Sequence, residues 1–248
     1  MIIYGRNPVK ELLSAPDSEI EEILILKDGS KEGTADIVSL ARERGIKILF
    51  LPKDAITRIS GTTSHQGVAA RISDFEYSSV EGILDVAEGR GEKLLLVLLD
   101  HIEDPQNLGA IIRTVNVLGA HGVIIPKDRA ASVTPAVVKA SAGAVNHVLI
   151  ARVVNLSSII EVLKKKGVWI VGADPGAPVP VFGEDLGKLD IALVIGSEGK
   201  GIGQKLKEQC DFLVSIPQAG KVTSLNASVS AGILIYEILR QRGNFKSR

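Results

Sequence analysis

The chain has 248 residues, 45% of them hydrophobic and 23% charged, with 29 basic residues balanced by 29 acidic ones. That length fits one large or two modest domains, and the balance excludes a global positive field, so any nucleic-acid patch has to be local. The longest apolar run, Leu94 to Leu99, falls far short of the roughly 18 residues of a membrane span, and the first residues lack the basic-then-apolar pattern of a secretory signal. No membrane association and a cytoplasmic location are expected.

Cys210 is the only cysteine, which excludes an internal disulfide and a zinc site built from several thiolates. His65, His101, His121 and His147 lack the i, i+4 pairing that places two imidazoles on one metal, so no metal is expected. Aromatic residues make up 4%, too few for a surface that reads RNA mainly by base stacking.

Along residues 1–75, Asn7 to Leu13 and Ala35 to Gly45 have helical patterns, while Ile20 to Leu26 and Ile46 to Phe50 are strand-like, which predicts a small α/β domain. Polar residues from Ser73 to Ser79, with Gly89 and Gly91 beyond, place a linker over 76–92. From 93 to 248 the near-continuous apolar blocks Leu94 to Leu99, Gly122 to Ile125, Trp169 to Val171 and Ile191 to Ile195 have the character of strands buried on both faces of a parallel sheet. Helical spacing of Leu108, Ile111, Ile112 and Val115, and of Leu156, Ile159, Ile160 and Leu163, separates them. The fold class is α/β, with a doubly wound parallel sheet in the larger domain.

Three segments carry chemistry. The first runs from the strand ending at Leu99 into a helix expected to start near Asn107, a good N-cap residue. The apolar stripe of that helix puts Arg113 on the opposite side, free to meet a ligand, although an isolated helix arginine is more often simply solvated. In the second, Gly196 to Gly203, four glycines fall within eight residues after a buried strand, which lets backbone pass close to a ligand. Gln204 stands where a dinucleotide fingerprint needs its third small residue, so the Rossmann fingerprint is rejected, and a nucleotide-dependent oxidoreductase remains only as a competing reading of the doubly wound pattern. Glu198 there could simply complement a helix dipole. The third, Val214 to Ile238, is a strand, an irregular loop and an apolar helix, with Ser224 and Asn226 at a junction where either could simply be a cap.

Together the segments resemble the three signature motifs of the SpoU, or TrmH, family of RNA ribose 2′-O-methyltransferases. Asn107, Gly109 and Arg113 match the first, Gly196, Glu198 and Gly201 the second, and Ile216, Pro217, Ser224, Leu225, Asn226 and Ser228 the third. Tyr4 to Val9 and His65 to Val68 resemble the substrate-binding domain of ribosomal-RNA members.

This resemblance implies an α/β-knot (trefoil) catalytic domain, an L30e-like N-terminal domain and a homodimer. It implies S-adenosyl-L-methionine as cofactor, contacted at Gly196, Ile216, Leu225 and, more weakly, Ala173. Arg113 would be the essential catalytic residue, with Asn107, Glu198, Ser224 and Asn226 around it, and Arg6, Asn7 and His65 would contact RNA. A guanidinium holds its proton too tightly for a general base, so positioning and charge stabilisation are what the resemblance implies for Arg113. By arrangement the chain is most similar to enzymes that methylate a guanosine in the peptidyl-transferase P-loop of 23S ribosomal RNA. A transfer-RNA ribose methyltransferase, an antibiotic-resistance methyltransferase and a non-catalytic ribosome assembly factor are the alternatives.

Overall fold

A computed structural model describes residues 1–14, 20–27, 33–73, 75–220 and 224–243. They form two compact units, Met1–Glu76 and Tyr77–Arg248.

The first unit is a four-stranded mixed sheet between helices. In chain order it contains β1 (Ile2–Tyr4), α1 (Arg6–Ser14), β2 (Ile20–Leu26), α2 (Ala35–Glu43), β3 (Lys47–Leu51), α3 (Lys53–Ser60) and β4 (Val68–Ile72). The strand order is β1-β4-β2-β3, with β4 antiparallel to both neighbours and β2 parallel to β3. Alternation along β2 decides the layers: Ile23 and Ile25 pack with Val9, Leu12, Leu13 and Ile37, while Leu24 packs with Ile56 on the other side. Two-sided burial of so short a strand explains why its pattern is an apolar run rather than an alternation.

The second unit begins earlier than the expected linker allows. Residues 80–90 form α4 (Val80–Arg90), capped by the Ser79 hydroxyl accepting the Gly82 amide at 3.0 Å, and its Val80, Ile83 and Ala87 enter the core. The segment expected to link two domains therefore contributes a packed helix, because its apolar residues recur at i, i+3, i+7.

Beyond it come β5 (Leu95–Leu99), α5 (Pro105–Leu118), β6 (Gly122–Pro126), α6 (Pro135–Ala140), β7 (Leu149–Val153), α7 (Leu156–Lys165), β8 (Trp169–Ala173), β9 (Ile191–Ile195), α8 (Gln204–Gln209), β10 (Phe212–Val214) and α9 (Ala227–Gln241). The sheet is parallel throughout, in the order β10-β8-β9-β5-β6-β7. All five residues of β5 and of β9 are buried, as expected for central parallel strands covered on both faces. Helices α4, α7 and α8 share one core cluster, whereas α5 packs on α6 and α9, and α9 touches β9.

Strands β5 and β9 are neighbours, yet the chain leaves them for helices on different faces. That is a switch point, where loops diverge beyond the carboxyl ends of the strands and leave a crevice.

A candidate cofactor pocket and catalytic cluster

The first loop at this crevice follows β5. Helix α5 starts two residues before the expected place: Asp104 is the N-cap, its carboxylate accepting the Gln106 amide at 2.9 Å, and Pro105 occupies the first turn. Asp-Pro is the stronger start signal, since the proline ring presets φ where no N–H is needed. Asn107 is thereby relieved of capping, and its amide is available for other partners. Buried Gly109 allows α5 to approach α6, because a Cβ there would overlap Ala140 and come within 2.9 Å of the Ser141 amide nitrogen.

The second loop follows β9. A Cβ at Gly196 would collide with the Gly201 and Ile202 backbone, so only glycine fits where the loop folds back on itself. Gly201 sits at φ 65° and donates to the Ser197 carbonyl at 2.8 Å, closing the turn. The third segment ends at α9, where Asn226 is the N-cap and its side-chain oxygen accepts the Ser228 amide at 2.9 Å.

Glu198 unites the three. Its Oε1 accepts from Asn107 Nδ2 at 2.9 Å, from Asn226 Nδ2 and from the Ala227 amide at 3.4 Å, while Asn226 Nδ2 also donates to Asn107 Oδ1 at 2.9 Å. The carboxylate thus lies at the amino end of α9, where the helix dipole favours negative charge. One residue from each motif enters this cluster.

Beside it is a cavity of about 410 Å³, within the range of small-ligand pockets. Gly196, Ile216, Leu225 and Ala173, the four residues expected to contact cofactor, all line it, as do Glu198 and Ser224. Ile195, Val214 and Leu234 add apolar wall, and Asp174 and Lys207 add charge. An apolar slot entered by a glycine turn suits a flat heterocycle, and its charged margin suits polar substituents. Residues 221–223, inside the third segment, lie outside the described residues.

Arg113 is exposed on α5 and does not line the cavity; it stands six residues beyond Asn107, about 9 Å along the helix axis. It lies one turn after Gly109, close to the face that meets α6. Two residues that sequence reasoning passed over also shape the crevice. Asp100, 4% exposed, accepts the Gly203 amide at 2.8 Å and pairs with His101 Nδ1 at 2.7 Å, tying the loop after β5 to the start of α8. Its signal was an ionisable residue at the end of an all-apolar strand. The other, Asp174, is paired with Lys207, which holds its carboxyl below the usual range.

In the first unit the expected RNA contacts separate. Asn7 is exposed in the first turn of α1. Arg6 is half-buried, its guanidinium against Gly33, and its backbone amide donates to Gln66 Oε1 at 3.0 Å. His65 is buried, the residue 2% exposed: Nδ1 accepts the Gly67 amide at 3.0 Å, and Nε2 meets the Thr57 hydroxyl at 3.0 Å. With both nitrogens engaged inside the unit, it fastens the turn before β4.

Residues 94–236 match the SpoU rRNA methylase family, and residues 2–78 match the substrate-binding domain of RNA 2′-O ribose methyltransferases. The Bacillus subtilis protein YacO, whose name assigns it provisionally to the TrmH family of tRNA/rRNA methyltransferases, is 43% identical over 97% of this chain and 95% of its own. The SpoU methyltransferase AviRb of Streptomyces viridochromogenes, crystallised with the cofactor AdoMet, superposes with a TM-score of 0.65 at 27% identity, covering 99% of this chain and 91% of its own. An AdoMet-bound rRNA methyltransferase from Sinorhizobium meliloti gives 0.63 at 26% identity, over 99% and 88%. This chain belongs to the SpoU/TrmH family of RNA methyltransferases.

Proposed function

We propose that the protein methylates a ribose 2′-hydroxyl of RNA with S-adenosyl-L-methionine as donor, and that its substrate is a guanosine of 23S ribosomal RNA. The observation that carries the reading is the junction of all three motifs at Glu198, beside a glycine-walled cavity lined by every residue expected to hold the cofactor.

Gly196, Ile216, Leu225 and Ala173 would hold the cofactor, which supplies a methyl group already activated on a sulfonium. The protein's remaining tasks are alignment and charge management. Asn107, in the first turn of α5, is fixed by Glu198 and Asn226, so the helix carrying Arg113 is tied to the edge of the cavity by the same cluster. Arg113 binds a phosphate of the target strand and stabilises the charge that develops on the attacking 2′-oxygen. Ser224 closes the polar margin of the cavity.

The catalytic unit adopts the trefoil knot of the family and works as a homodimer. Support for the dimer comes from α9, where Val229, Ile233 and Tyr236 are 47%, 39% and 50% exposed at i, i+4, i+7 and form an apolar stripe facing away from the core. The first unit binds RNA through Arg6 and Asn7, supported by its match to the substrate-binding domain. The choice of ribosomal over transfer RNA rests on the resemblance of Tyr4 to Val9 and His65 to Val68 to ribosomal-RNA members.

The test is transfer of labelled methyl from S-adenosylmethionine to unmodified 23S RNA and, separately, to transfer RNA, followed by mapping. Label on one guanosine of 23S RNA is expected. Label on transfer RNA alone would keep the chemistry and overturn the substrate; cofactor binding with no transfer to RNA or assembling particles would overturn the enzymatic reading.

A further inference from the structure

One charged pair at the cavity has no part in the chemistry above. Asp174 follows β8 directly, Lys207 lies within α8, and both line the cavity with side chains 18% and 26% exposed. Lys207 Nζ is 2.7 Å from Asp174 Oδ2, and the Gly176 amide donates to Oδ1 at 3.1 Å.

A carboxylate offers about four lone-pair positions. Lys207 and Gly176 occupy two, which leaves each oxygen able to accept once more. Two kinds of ligand group could use them, a cation or a pair of hydroxyls, and the local charge decides between them. An ammonium or sulfonium approaching Asp174 would also meet the Lys207 ammonium, so the pair presents little net charge to attract it. Neutral hydroxyls donate to an ionised oxygen without that repulsion, in short charge-assisted bonds. A vicinal diol brings two such donors side by side, matched to a carboxylate edge.

We infer that Asp174, oriented by Lys207, is a specificity-determining residue that recognises the ribose hydroxyls of the nucleoside bound in this cavity. The inference rests on the reading of the cavity as the S-adenosylmethionine site. Asp174 accepts from the 2′- and 3′-hydroxyls, Lys207 keeps it ionised and turned inward, and no bond is made or broken.

The experiment is calorimetric titration of the full chain with S-adenosylhomocysteine and with its 2′-deoxyribose analogue, for the native protein and for Asp174→Asn and Asp174→Ala. Thermal unfolding identifies variants that keep the fold. The native protein is expected to prefer the ribose form at least about tenfold, and the variants to lose most of that ratio. If the pair only fastened α8 to β8, both ligands would weaken together and the ratio would persist, which would overturn the inference. Equal affinity of the native protein for the two ligands would overturn it as well. Failure of the folded native protein to bind either ligand would instead remove the cofactor reading on which the inference stands.

Discussion

The two units spend their polar side chains differently. In the first, the imidazole of His65 is buried and consumed by its own turn, with both nitrogens engaged by Thr57 and Gly67. In the second, the polar groups of Asn107, Glu198 and Asn226 engage one another at an exposed crevice beside a cavity, where a ligand can reach them. The first unit is a small mixed sheet whose buried histidine serves local fastening, while the parallel sheet of the second has a switch point that gathers loops from distant sequence at one edge. Function in the larger unit is therefore a property of loops meeting, and in the smaller one of what its surface leaves exposed.

Substitutions that separate these uses test the contrast. Arg113→Ala is expected to have the largest effect: methyl transfer falls by at least about 100-fold while S-adenosylmethionine affinity stays within a few-fold, read by labelled transfer and calorimetry. Retained turnover would remove Arg113 from the chemistry. Next, Gly196→Ala forces a Cβ into backbone that has no room to yield, so cofactor affinity falls at least about tenfold, as measured by calorimetry. In the first unit, His65→Ala leaves buried partners unsatisfied and costs about 1–3 kcal/mol in denaturant unfolding, whereas Asn7→Ala leaves stability unchanged and weakens RNA binding. A His65 variant that keeps full stability but loses RNA affinity would reverse the assignment.

The smallest effect is a pH dependence. Burial pushes the His121 imidazole below its ordinary value of 6.5, although Glu92 opposes this, and its Nδ1 accepts the Leu95 amide at 3.0 Å, which requires the neutral ring. The unfolded chain therefore binds this proton first. Stability present above about pH 6.5 declines as pH falls through that value and levels off below the folded-state pKa. Thermal unfolding between pH 8 and 5 should show this decline, flattened in His121→Gln.

Much of the larger unit was legible because apolar blocks such as Leu94 to Leu99 have one comfortable environment, the centre of a parallel sheet. The candidate site residues were legible through the resemblance of three segments to family motifs, not through periodicity or spacing alone. Which of them touch was not, since Asn107 and Asn226 are separated by 119 positions in the chain and meet only through strand order. Helix α5 was placed late because Asn107 and Asp104 are both acceptable caps locally, and the proline after Asp104 decides between them. The burial of His65 was not legible for a related reason: a histidine in a polar loop gives no sign of whether the turn folds over it. Strand β4 shows no alternation because Val68, Ala70 and Ile72 are buried on one face and Ala69 on the other.

The proposed target atom can be tested most directly by alkaline hydrolysis of RNA after reaction with labelled S-adenosylmethionine. A methylated 2′-oxygen cannot attack the adjacent phosphate, so the labelled linkage should survive alkali and appear in a dinucleotide. Label recovered in mononucleotides would place the methyl group on a base and contradict ribose methylation.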